Sequence, residues 1–102
     1  MEAGLHAKLS EIRALCKTHN VEACYVFGSA TSTEFHAKSD YDLLVRFSKQ
    51  IPLLQYADNY FDLLEKLTLL LNRKIDLISE KSLKNPVLIQ EITNTRVPLY
   101  ES

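Results

Sequence analysis

Hydrophobic and polar positions alternate between two periods along this chain. Leu5, Leu9, Ile12 and Leu15/Cys16 recur at three- and four-residue spacing, which predicts an amphipathic helix with one buried stripe that ends near Thr18-His19-Asn20. Val21 to Phe27 is a β-branched and aromatic run of strand length, halted by Gly28. Residues 29–39 are small and polar, consistent with a short helical turn and a loop. Tyr41 to Phe47 reads as a second strand, with Tyr41, Leu43, Val45 and Phe47 on one face and Asp40 and Asp42 on the other; the apolar face is expected to pack against helices. Pro52 suits the first turn of a helix, and the apolar positions from Leu53 to Leu71 sustain it for about twenty residues. Lys74 to Ser79 is a third strand, Pro86 opens a last helix through about Thr95, and Val97-Pro98-Leu99-Tyr100 is an extended tail. This alternation predicts an α/β fold: a small mixed sheet of three strands, four if the tail joins, with helices packed on it.

The polar side of the second strand changes the picture. Side chains two apart on a strand point the same way, roughly 6.5–7 Å from each other, so Asp40 and Asp42 form a like-charged pair where aspartate is normally depleted. An unpaired carboxylate on a half-buried sheet is costly, and a cation relieves it. Asp76 sits in the third strand-like run; if the two strands are neighbours, about 4.8 Å apart, it joins the pair. Three carboxylates around one point suit a hard cation such as magnesium, held by carboxylates and substrate phosphates. Two such ions about 3.5–4 Å apart can clamp the attacking and leaving oxygens of a displacement at phosphorus. Asp40, Asp42 and Asp76 are therefore the candidate metal ligands, and Asp76 also the candidate activator of the attacking hydroxyl. Gly28-Ser29 follows a strand where exposed amides favour a phosphate, so Gly28 and Ser29 are candidate nucleotide-binding residues; Ser39, just ahead of the aspartates, is counted with them, with the cap of a turn as its plainer reading. The blander reading is an exposed turn and ordinary solvated aspartates. Average residue usage puts the four fixed positions in a chain this long by chance roughly once in a thousand.

Length and charge narrow the function. The 102 residues make one domain, residues 1–102, with room for a single core but not for a separate acceptor-binding lobe. Twelve basic residues against thirteen acidic ones leave a net charge of −1, so the broad positive field of a stand-alone nucleic-acid binder is missing, and direct binding of nucleic acid is not expected. No stretch of eighteen apolar residues and no basic start followed by an apolar run is present, so a cytoplasmic protein without membrane contact is expected. Cys16 and Cys24 lack the spacing of a zinc or redox pair and read as small core residues. With only Gly4 and Gly28, a P-loop is excluded. His36, Lys38 and Arg46 read as surface groups first and nucleotide contacts second; His6 and His19 carry no signal. The Tyr56/Tyr60/Phe61 cluster reads first as core packing and second as a partner-docking face.

Gly28-Ser29, ten residues, Asp40-Tyr41-Asp42 and the later Asp76 together resemble the signature of the nucleotidyltransferase superfamily that includes DNA polymerase beta, in its minimal form. The ending, Ile75-Asp76-Leu77-Ile78, Ser82 to Pro86, Ile89 to Ile92 and Val97 to Tyr100, is similar too. The resemblance implies a nucleotidyltransferase fold and an antitoxin that uses magnesium and ATP to transfer AMP onto a tyrosine hydroxyl of a HEPN-type ribonuclease toxin, its acceptor and complex partner. Relatives of this kind commonly carry Arg and Gly shortly after Gly-Ser, where this chain has Ala30-Thr31-Ser32-Thr33-Glu34. Two other readings stand beside it: an antitoxin that neutralises by binding alone, and adenylyl transfer onto a small molecule, against which the lack of an acceptor domain argues.

Overall fold

The computed structural model describes residues 3–28 and 40–102. Two short helices, α1 (Ala3–Ala7) and α2 (Leu9–Thr18), lead into strand β1 (Val21–Phe27); β2 (Tyr41–Phe47), the long helix α3 (Leu53–Leu71), β3 (Ile75–Ser79), a 3-10 turn (Glu80–Ser82), α4 (Pro86–Thr95) and β4 (Val97–Glu101) follow. The four strands form one mixed sheet in the order β3-β2-β1-β4. β1 is antiparallel to both β2 and β4, and β2 is parallel to β3. No helix among the described residues is long and apolar enough to cross a membrane.

Strand alternation divides the core between the two sheet faces. Tyr41, Leu43, Val45 and Phe47 of β2 pack with Val26, Ile75 and Leu77 under Ile12 and Cys16 of α2 and Leu63 and Leu67 of α3, the face that period-two reasoning assigns to helices. On the other face Ala23, Tyr25, Phe27 and Leu44 are covered by Ile92 of α4. Cys16 and Cys24 are both free thiols buried in the first cluster. Leu63 and Leu67 are fully buried at one-turn spacing, which fixes the rotation of α3 over the sheet.

The ends of the elements follow local chemistry. Asn85 caps α4, its side-chain oxygen accepting from the amides of Val87 at 2.9 Å and Leu88 at 3.4 Å, with Pro86 in the first turn; proline lacks only an N–H that the first turn leaves unpaired anyway. Pro52 stands one residue before α3. Asn72 closes α3 in the left-handed region, φ 50°, which asparagine tolerates better than most residues.

One detail departs from the sequence pattern and another completes it. The single first helix is interrupted at Lys8, whose φ of −108° and ψ of 14° leave the helical region; Leu5 and Ile12 are both buried across the break. The tail is a strand, with Val97 opposite Val26 and Tyr100 opposite Cys24. Leu99, 1% exposed, anchors it in the core.

Candidate functional site

The parallel pairing of β2 and β3 sets Asp42 directly opposite Asp76. On the other side of β2, Asp42 lies opposite Phe27, the last residue of β1, so the end of β1 and the starts of β2 and β3 meet at one end of the sheet. Alternation puts Asp42 on the face of Leu44, away from α2 and α3. Gly28, immediately beyond Phe27, has φ +73°, and a Cβ added there would stand 2.5 Å from Asp42 Oδ2. Glycine is thus required twice at this position, by backbone conformation and by the closeness of the carboxylate.

Electrostatics tie the acids together. Burial pushes the Asp42 carboxyl up, and the neighbouring charges of Asp76 and then Asp40 push it the same way. The Tyr60 hydroxyl is also raised, first by burial and then by Asp76 and Tyr56. Asp40 sits just ahead of β2, half-exposed, with Oδ2 3.8 Å from Lys74 Nζ; at that length and exposure the ion pair is weak. Asp42 and Asp76 are therefore brought together as register neighbours, while Asp40 joins them in charge. Among the described residues no three His, Cys, Asp or Glu side chains close into a group that could hold a metal ion. The donor chemistry nevertheless fits a hard cation: carboxylates only, with mutual repulsion that a divalent ion would relieve. Ser29 and Ser39, and with them Ala30–Glu34, His36, Lys38 and the helical-turn reading of residues 29–39, lie outside the described residues.

The profile of the family described as "Polymerase beta, Nucleotidyltransferase" matches residues 10–102. The chain belongs to that nucleotidyltransferase family. A protein of Methanocaldococcus jannaschii named "Putative protein adenylyltransferase" is 32% identical over 94 residues, a match that covers 82% of this chain and 90% of the relative. A solved structure titled "Structure of putative minimal nucleotidyltransferase" superposes with a TM-score of 0.77 at 31% identity, covering 96% of each chain. A chain from the solved complex of tri-AMPylated Shewanella oneidensis HEPN toxin with MNT antitoxin superposes with a TM-score of 0.66 at 20% identity, covering 95% of this chain and 72% of its own; at that identity the likeness is one of fold. The nucleotidyltransferase fold expected from the sequence is thus the fold observed, including the fourth strand.

Sequence reasoning passed over one functional-looking cluster in this nucleotidyltransferase. His19, 6% exposed, has Nε2 2.6 Å from Asp62 Oδ2 and Nδ1 2.8 Å from the Leu15 carbonyl. Asp62 also accepts from Lys66 Nζ at 2.8 Å. The group ties α2 to α3 and lies on helices away from the aspartates of β2 and β3. No local signal reveals it, because Asp62 is 43 residues from His19.

Proposed function

We propose that this nucleotidyltransferase moves AMP from ATP onto a tyrosine hydroxyl of a HEPN-type toxin and so acts as its antitoxin. The observation that carries this reading is the in-register pair Asp42 and Asp76, set beside a glycine that only a missing side chain lets approach. In the transfer, the tyrosine oxygen bonds to the α-phosphorus, the bond from that phosphorus to the bridging oxygen breaks, pyrophosphate leaves, and the tyrosine proton passes to a carboxylate and on to solvent. Asp76 is the acceptor for that proton, since it is the second residue of β3 and its side chain is exposed. Gly28 clears space for the phosphates beside Asp42, and Ser29 and Ser39 are assigned to bind the nucleotide. Asp40, Asp42 and Asp76 would hold magnesium, which when bound neutralises charge developing on the phosphate oxygens. The relatives, one named "Putative protein adenylyltransferase" and one an MNT antitoxin in complex with a tri-AMPylated HEPN toxin, support the choice of reaction and partner.

The test is the intact mass of a purified HEPN-type toxin after incubation with ATP, magnesium and either the wild-type chain or its Asp40→Asn/Asp42→Asn variant. A gain of one or more AMP units that disappears with the variant is the expected result. A stable complex with no gain would favour neutralisation by binding alone. That second reading draws on the carboxylates, which do not close into a three-ligand group among the described residues, and on Ala30–Glu34 standing where relatives carry Arg and Gly.

A further inference from the structure

β3 is an edge of the sheet, and the groove between it and α3 is apolar. The groove, about 730 Å³, is floored by Leu53, Tyr56, Tyr60, Phe61, Leu77 and Ile78, with Lys81 and Lys84 on its outer rim. Leu53 is 80% exposed and Phe61 62% exposed. With Ala57 between them they form one stripe along α3 at four-residue spacing, the arrangement that receives a second helix. An adjoining hollow of about 490 Å³ shares Leu53, Tyr56, Ser79 and Lys81 and extends the surface toward Lys49, while Arg46 in its lining is paired with Glu80 at 3.7 Å. The basic character is local, because the chain as a whole carries a net charge of −1.

Two observations select the occupant. The Tyr60 hydroxyl donates to the Leu77 carbonyl and the Tyr56 hydroxyl bonds the Ser79 hydroxyl, so α3 already holds the outward side of β3 and a strand added from another chain would have to displace it. A second copy in a two-fold arrangement would bring lysine rims near each other, since both subunits use the same patch. What remains is a helix with an apolar face and acidic residues along one flank. The groove adjoins the candidate site at β3: Ile78, two residues on from Asp76 and on the same face of the strand, lines it, and Tyr60, also in its lining, lies close enough to feel the Asp76 charge.

We infer that this groove is the docking surface for the acceptor protein, which lays an amphipathic helix over Leu53 and Phe61 with its acidic flank along Lys81 and Lys84. The inference rests on the proposed transfer to a toxin and names the surface through which that partner is held.

The experiment is calorimetric titration of the chain with a purified HEPN-type toxin, at low and moderate salt, for wild type, Phe61→Asp, Lys81→Glu/Lys84→Glu and Asp42→Asn. All four positions have exposed or half-exposed side chains, and circular dichroism checks that each variant is folded. Phe61→Asp and the lysine reversal are expected to weaken binding about tenfold or more each, the reversal also flattening the salt dependence, while Asp42→Asn leaves Kd within about twofold. Unchanged affinity in both surface variants overturns the docking surface; weakening by Phe61→Asp alone overturns the acidic occupant. Loss of binding in the surface variants with no AMP transfer by wild type upholds the surface and overturns the transfer. Transfer by wild type with affinities untouched by the variants does the reverse. No complex with wild type overturns both.

Discussion

At position 28 one hydrogen atom in place of a methyl group decides how close the backbone comes to Asp42. Gly28→Ala places a Cβ in a left-handed backbone, at a cost of about 1–2 kcal/mol, and the overlap with Asp42 Oδ2 turns that carboxylate away from Asp76. The expected outcome is a folded protein, destabilised by that amount in urea titration, whose rate of AMP transfer falls at least about tenfold because a misplaced group loses the alignment the reaction depends on. Asp76→Asn is milder for the fold, since Asp76 is exposed and its loss removes a repulsion from Asp42. Its effect belongs to the chemistry: a drop of about 100-fold or more in single-turnover transfer, with unchanged or slightly higher thermal stability. Full transfer by this variant would remove Asp76 from the proton-accepting role. The adjacency of these acids was legible because strand periodicity is rigid: once Asp42 and Asp76 are read into strands, only the neighbouring of those strands remains to be guessed. Asp40 was less legible, because the last residue before a strand is free to turn, and here it turns toward Lys74.

Among the elements, the contact between α2 and α3 has a polar lock as well as an apolar seam. Hydrogen bonds from Lys66 and then His19 hold the Asp62 carboxyl below the usual carboxylate range. A carboxyl whose pKa is lower in the folded than in the unfolded chain adds stability that is complete above the unfolded value, about 3.9 for aspartate, and is lost as the pH falls below it through the folded value. Asp62→Asn should therefore lower the urea midpoint at about pH 7, and the gap to wild type should shrink steadily as the pH falls below about 3.9; a gap that stays constant through that fall would mean the contribution is packing and not charge. At the opposite edge of the sheet, Leu99→Ala should cost about 2–5 kcal/mol in unfolding experiments, because Leu99 is 1% exposed and its truncation leaves a cavity in the core. These two contacts also mark where sequence periodicity stops informing. Period 3.6 finds the buried stripe of α2 and α3, but not that His19, at the end of one, meets Asp62 on the other. Val97 to Tyr100 is extended by pattern, yet only its pairing with β1 makes it a strand, and that pairing spans more than seventy residues of sequence.

For the whole molecule, β3 connects recognition to chemistry. Asp76 is the second residue of the strand, and Leu77 and Ile78, the next two residues, line the groove between β3 and α3. If the acceptor docks in that groove, the tyrosine presented to the nucleotide is presented within the same chain, since Leu77 and Ile78 are only one and two steps along the strand from Asp76, about 3.3 Å per step. A chain defective in docking and a chain defective in chemistry should then fail to rescue each other. An equimolar mixture of Phe61→Asp and Asp42→Asn, held near the wild-type Kd for the toxin, is expected to modify the toxin no faster than Phe61→Asp alone, whereas the same amount of wild type mixed with Asp42→Asn gives clear transfer, slowed only by competition for the acceptor. Intact-mass time courses read both. Recovery in the mutant mixture would mean that one copy holds the toxin while another modifies it, which needs an assembly with two copies in reach of one acceptor and would place the binding and reacting surfaces on different molecules. The cis arrangement is favoured because β3 is short and locked: Tyr60 bonds the Leu77 carbonyl and Leu77 is buried in the core, so the groove and the carboxylate keep a fixed spacing, and binding on one side of the strand positions the reaction on the other.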